Sequence, residues 1–201
     1  MSNKLYSNIE VVAIDVDGCL TDGIYQISSS GEVSKSFYTR DFYAIEQLLR
    51  DGLRVVIITQ SHDRVIDQQL RRICDHSDFW KNNQTGSWGA LPEESPIRKK
   101  FISMIKEKIL CVSLAVENKK EFLEFYLETL CLSWENIAYM GDAENDLECI
   151  KKAGFSGCPN DAIPSVMDEV MYPSDHKGGR GAVYDFCMYL LRKINEEICN
   201  A

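Results

Sequence analysis

Apolar positions along the chain fall into two alternating patterns. Compact β-branched or apolar runs, Glu10 to Val16, Leu53 to Thr59, Leu110 to Val116, Asn136 to Met140 and the short Phe155 to Cys158, read as buried strands. Between the first two, Asp41 to Arg50 places Ile45, Leu48 and Leu49 on one helical face and is closed by Asp51-Gly52. Further helices are expected at about 62–74, 119–130, 144–152 and 181–196. Strands alternating with helices predict an α/β domain built on a mainly parallel sheet.

Two stretches break the alternation. Ile24 to Ser28 and Val33 to Tyr38, joined by Ser29-Ser30-Gly31-Glu32, read as a β-hairpin projecting as a flap, about 24–38. The alternative is a decorated sheet edge that Lys35 and Glu32 protect from aggregation. An insertion at about 75–109 holds Trp80, Trp88 and Pro92, then a helix opening at Ser95-Pro96 with Ile97, Phe101, Met104 and Ile105 on its apolar face. Packing of the tryptophans on that helix is favoured over stacking on a ligand, and the insertion suits a lid or an interface.

With 201 residues, the chain fits a single domain, 1–201, carrying these two additions. The 31 acidic residues outnumber 22 basic ones, for a net charge of -9, which argues against a nucleic-acid partner. The apolar run near the amino terminus is short and ends in carboxylates, unlike a secretory signal or a membrane span, so the expected location is cytoplasmic. Eight scattered cysteines without a CxxC pair predict reduced, mostly buried thiols.

The chemistry follows from where polar residues meet strand ends, because open parallel sheets bind ligands beyond the carboxyl ends of their strands. Asp15 and Asp17 stand where the first strand runs out, with Asp17 expected two residues on along the same strand face. Thr59 ends the second strand, Lys119 follows the third, and Gly141-Asp142 follows the fourth, ahead of Asn145 and Asp146. Gathered carboxylates repel unless a cation sits among them, and hard oxygen ligands select magnesium. The lysine and threonine suit phosphoryl oxygens. Asp15 is then a candidate nucleophile and Asp17 a candidate acid and base, for a reaction whose required acceleration approaches ~10²¹-fold. Gly178, Gly179 and Gly181 around Arg180 are either a plain loop or a backbone cradle for an anion.

At these residues a resemblance becomes visible. DVDGCLTDG, Thr59, Lys119 and GDAENDLE resemble the four signature motifs of the haloacid dehalogenase superfamily, whose fold is a three-layer Rossmann-like parallel sheet. RDFYAIEQLL, LSWENIAYMGD, AGFSGCPNDAIPSV and GGRGAVYDF are similar to a capless branch of it, covering nearly the whole chain except about 75–109. That branch holds 3-deoxy-D-manno-octulosonate 8-phosphate phosphatases, phosphatases of nine-carbon keto-deoxy sugar acids, and the C-terminal domain of acylneuraminate cytidylyltransferases.

The resemblance implies roles residue by residue. Asp15 is the nucleophile, and Asp17 is acid and base and gives its backbone carbonyl to magnesium. Asp142 is the remaining metal carboxylate, while Asp146, with Asn145, orients metal water or the lysine. Thr59 and Lys119 bind phosphate; family spacing to Gly141 selects Lys119 over its neighbour Lys120. Arg40, Arg180 and Gly179 are candidates for the substrate. The implied partner is a small sugar phosphate. Relatives form tetramers in which the hairpin reaches over a neighbouring subunit's site, so a homo-oligomer is expected.

The chain departs from the branch pattern at Phe42 and Ala44, Gln60 and Ser61, Ala143, and Tyr184, positions where substrate selection is expected. Two other functions compete with a phosphatase: a non-catalytic oligomerisation domain of the cytidylyltransferase type, and a phosphoacceptor signalling domain. The complete set Asp15, Asp17, Thr59, Lys119, Asp142 and Asp146 favours catalysis. In a signalling domain the acceptor ends a later strand and no GDxxND segment follows. The acidic excess thus becomes a local matter, since a cation bound among these aspartates reverses the field an anionic substrate meets.

Overall fold

A computed structural model describes residues 5–62, 65–66, 68–69, 84–88 and 95–200. Its centre is β1 (Val11–Asp15), all five residues buried, paired in parallel with β4 (Arg54–Ile58) on one side and β7 (Ile137–Met140) on the other. The sheet continues outward through β6 (Leu110–Ser113) to β5 (Gln84–Trp88), and through β8 (Phe155–Cys158) to β9 (Tyr172–Pro173). The order β5-β6-β4-β1-β7-β8-β9 is parallel throughout, as the alternating pattern predicts.

The strand period of two splits β1 between two cores. Val12 and Ile14 pack with α1 (Thr39–Arg50) and α6 (Ala182–Cys199), whereas Val11 and Ala13 pack with α3 (Lys119–Thr129) and α4 (Leu147–Lys152). Burying each large apolar side chain here contributes roughly 1.5–3 kcal/mol, so the central strand is held from both faces. Helix α2 (Ser95–Glu107) and the short α5 (Pro164–Met167) complete the layers.

Two expectations need correction, the length of the hairpin and the place of Asp17, and the insertion contributes a strand of its own. The hairpin is shorter than its apolar pattern implied, with only β2 (Gln26–Ile27) and β3 (Val33–Ser34) paired, because neither face of the ribbon packs on the core and Ile24 and Ile27 stay exposed. Part of the insertion, β5, adds an edge strand to β6, taking hydrogen-bonding groups that would otherwise face water. Asp17 is not on a strand: β1 stops at Asp15, and the chain turns at once through Val16–Leu20. Of the helix expected at about 62–74, residues 62, 65–66 and 68–69 are described, and the last four are helical; Trp80 and Pro92 lie outside the described residues.

Among the described cysteines, Cys19, Cys111, Cys149, Cys158 and Cys187 are buried free thiols, while Cys131 and Cys199 are exposed. No helix among the described residues is long and apolar enough to cross a membrane.

Candidate active site

The carboxyl ends of β1, β4, β6 and β7 converge on one rim. Asp15 closes β1 and is buried; Lys119 opens α3, its helix start fixed by Asn118, whose side chain accepts from the Glu121 N–H. The Lys119 ammonium lies 2.8 Å from Oδ1 of Asp15 and 2.8 Å from Oδ1 of Asp146, with 1% of its side chain exposed. Lys120 instead pairs with Glu148 at 3.3 Å, on the exposed side of the helix.

Asp146 is the organiser of the group. Its Oδ1 accepts from Lys119 and from the Tyr139 hydroxyl, and its Oδ2 accepts from the Asp142 and Ala143 N–H groups at 3.0 and 3.1 Å. Both oxygens are thus fully engaged. Tyr139 was not visible as a site residue, although a phenol within the buried apolar run IAYM needs a partner for its hydroxyl.

Asp15, Asp142 and Asp146 each offer a carboxylate oxygen within 4.8 Å of the others. Asp142 Oδ1 is buried without a hydrogen-bond partner. An orphaned anionic oxygen beside a second buried carboxylate fits a hard divalent cation such as magnesium, with Asp15 and Asp142 as holders and Asp146 behind them. The close approach depends on Gly18, at φ +92°: a Cβ there would stand 2.1 Å from Asp142 Oδ2.

Without a cation these carboxylates resist ionisation. Burial, with Asp146 and Asp142 adding repulsion against the pull of Lys119, pushes Asp15 up to about 8. Burial and Asp146 raise Asp142 to about 6. For Lys119, burial works against the charged form, but Asp15 and Asp146 more than offset it and hold the amine protonated.

Thr59 follows β4, buried; its N–H donates to Ser113 O, its hydroxyl accepts from the Ser61 N–H at 3.0 Å, and its carbonyl accepts from the Val116 N–H. Asp17 lies outside the carboxylate trio. Its oxygens accept from Thr21 Oγ1 at 3.1 Å, Tyr25 OH at 3.2 Å and Lys35 Nζ at 2.7 and 2.9 Å.

Other expected positions separate. Asn145 is exposed and lines a cleft of about 290 Å³ with Glu117, Lys119 and Glu144, beside the trio rather than within it. Arg40 is exposed, while its neighbour Asp41 is buried and accepts from the Tyr184 N–H at 2.8 Å, binding α1 to the start of α6. Arg180 is exposed, 3.8 Å from Asp22. The Gly179 N–H donates to Cys19 O at 2.8 Å, and a Cβ on Gly178 would stand 1.8 Å from Gly18 O. Those glycines therefore let the loop before α6 pack on the turn after β1, and the Gly179 amide is not free for an anion. A larger cleft of about 480 Å³, lined by Glu10, Leu53, Arg54 and Ile194, lies at the opposite, amino end of β1 and β4.

Comparison with known proteins matches residues 90–186 to the haloacid dehalogenase-like hydrolase family model. The chain is 28% identical over 184 residues to the 3-deoxy-D-manno-octulosonate 8-phosphate phosphatase of Salmonella typhi, covering 92% of this chain and 80% of that protein. It is 27% identical over 184 residues to N-acylneuraminate cytidylyltransferase A of Danio rerio, covering 91% of this chain but only 35% of that protein. The chain thus spans about a third of the length of the cytidylyltransferases it matches. The crystal structure of the octulosonate 8-phosphate phosphatase from Moraxella catarrhalis, in complex with magnesium, phosphate and the sugar acid, shares the fold with a TM-score of 0.73 at 22% identity, covering 100% of this chain and 99% of that one. The chain is thus similar to haloacid dehalogenase-like hydrolases over residues 90–186 and to the octulosonate 8-phosphate phosphatases over most of its length, and it shares their fold.

Proposed function

We propose that this chain is a magnesium-dependent phosphatase that hydrolyses the phosphate monoester of a 3-deoxy-2-keto sugar acid, an octulosonate 8-phosphate or a nonulosonate 9-phosphate, through an aspartyl-phosphate. The carrying observation is the Lys119 ammonium bridging Asp15 and Asp146 beside the orphaned oxygen of Asp142. That arrangement leaves Asp15 at the rim, with positive charge beside the place where phosphoryl oxygens would gather.

In this reading the Asp15 carboxylate attacks phosphorus while the bond from phosphorus to the sugar oxygen breaks, its electron pair leaving on that oxygen, which Asp17 protonates. Asp17 then takes a proton from water as the water oxygen attacks phosphorus, and the bond to Asp15 breaks to release orthophosphate. Lys119 and the Thr59 hydroxyl hold the phosphoryl oxygens, and Asp146, fixed by Tyr139 and two backbone amides, keeps Lys119 in place. Magnesium, when held by Asp15, Asp142 and the backbone carbonyl of Asp17, supplies charge neutralisation for the approaching dianion.

The reading includes a cytoplasmic single domain over 1–201 and a homotetramer, which the exposed apolar hairpin supports. Arg40 and Arg180, both exposed, are proposed to meet the sugar acid. Similarity to the cytidylyltransferases favours one other reading, a non-catalytic oligomerisation domain. Phosphate release measured across a panel of sugar phosphates with magnesium decides between them. Turnover that vanishes in a folded Asp15→Asn variant is expected; no turnover by the wild type at high enzyme concentration would abandon the phosphatase for the assembly domain.

A further inference from the structure

Asp17 has no sheet to hold it. It sits past the end of β1 with extended backbone angles, φ -84° and ψ 119°, inside a turn, and its carboxylate is 23% exposed. The donors that fix it come from the next eighteen residues of chain. Thr21 donates from the end of the turn, Tyr25 from the approach to the hairpin, and Lys35 from just after its second strand.

Lys35 is the unusual member. Its hairpin is exposed, yet only 2% of its side chain is, and its ammonium reaches both carboxylate oxygens. Surface lysines ordinarily keep the ammonium in water, since holding a long side chain in one geometry costs entropy and desolvation. Here the ammonium lies 4.3 Å from the centre of the Tyr25 ring, a cation–π contact, while the Tyr25 hydroxyl bridges Asp17 and Ser61. The hairpin therefore divides its labour. Its base stays on the Asp17 of its own chain, while the paired strand residues Ile27 and Val33 are exposed below a polar turn.

We propose that Lys35 is a positioning residue for Asp17, holding the carboxylate in one orientation from the hairpin base, with Tyr25 as the platform that holds Lys35. This rests on Asp17 acting as acid and base, as proposed above. A lysine that only stapled the hairpin would affect hairpin order and leave the reaction step alone. One that bound substrate would change KM.

The test uses the full-length chain, with steady-state kinetics and hydrogen exchange on wild type, Lys35→Met and Lys35→Arg. General acid–base groups contribute about 10²–10⁴-fold and small misplacements cost much of it, so Lys35→Met is expected to lower kcat by about 10-fold or more. KM should stay within about 3-fold, because only a step-specific contact is lost. Lys35→Arg should recover at least half of the loss on a logarithmic scale. Amides of residues 26–34 should exchange faster in Lys35→Met, and equally so in Asp17→Asn. A Lys35→Met variant with wild-type kcat, or with a raised KM and unchanged kcat, overturns the proposal. Hairpin exchange unchanged in both variants overturns it as well, and that arm holds even if the wild type proves to have no phosphatase activity.

Discussion

The candidate site has two halves built on different principles. On the buried side, Asp15, Lys119, Asp142, Asp146 and Tyr139 stand at strand ends or inside the sheet, and each is oriented by backbone that the two cores hold rigid. On the open side, Asp17 and Thr21 belong to the turn after β1, whose Val16, Cys19 and Leu20 are buried, while Tyr25 and Lys35 flank a ribbon of four paired residues. The first half is preorganised by burial at the sheet, the second by hydrogen bonds among side chains of one short segment of chain. A metal and a phosphoryl group need the former, because charges must be fixed before they are met. A proton shuttle must exchange partners during turnover, and those of Asp17 come from a short segment outside the sheet.

Breaking the buried half should cost most. Lys119→Met leaves Asp15 and Asp146 facing each other without a cation, and losing one member of a buried ion pair costs about 3–5 kcal/mol. Urea denaturation without magnesium should show a loss of that order, together with lost turnover; a loss under 1 kcal/mol would mean that the carboxylates simply take up protons or water in its place.

The titration of that half sharpens the contrast further. Asp15 at about 8 and Asp142 at about 6 lie above the ordinary carboxylate range, so the folded apo chain binds more protons than the unfolded one across this window. Stability from these groups is then fully present below about pH 4 and is lost as pH rises toward 8. A cation removes the repulsion and displaces those protons. The gain in melting temperature from magnesium should therefore be larger at pH 8 than at pH 6, as thermal unfolding with and without the ion would reveal; a gain independent of pH would place the ion elsewhere.

On the open half, Ile27→Ser alters an exposed hairpin residue and should move the stability of the single chain by no more than about 0.5 kcal/mol. Sedimentation of the same variant gives the sharper reading. A chain that assembles through the hairpin should dissociate more readily, whereas an unchanged oligomer would put the interface on another surface.

Most of the buried half was legible in the linear sequence. Strand ends can be located from where an apolar run stops, and Asp15, Thr59, Lys119, Asp142 and Asp146 are each within three residues of such a stop, except for Lys119 and Asp146, which lie about six beyond it. Topology then carries them to one rim. Legibility failed where position depends on contacts rather than on period. Asp17 looked like a strand residue because alternation continues through VAIDVD, but a glycine at positive φ turns the chain there. Tyr139 was hidden in the apolar run, and Gly179 read equally well as loop or anion cradle until its amide was seen on Cys19.

The sequence by itself determined the parallel α/β frame and the acidic rim, because burial periodicity and strand-end placement are local and repeat along the chain. Only the tertiary structure decided which carboxylate is orphaned, which lysine is buried between two aspartates, and that a hairpin lysine closes on Asp17. Those outcomes depend on approach between segments with no shared local signature, and on the requirement that every buried charge find a partner in three dimensions.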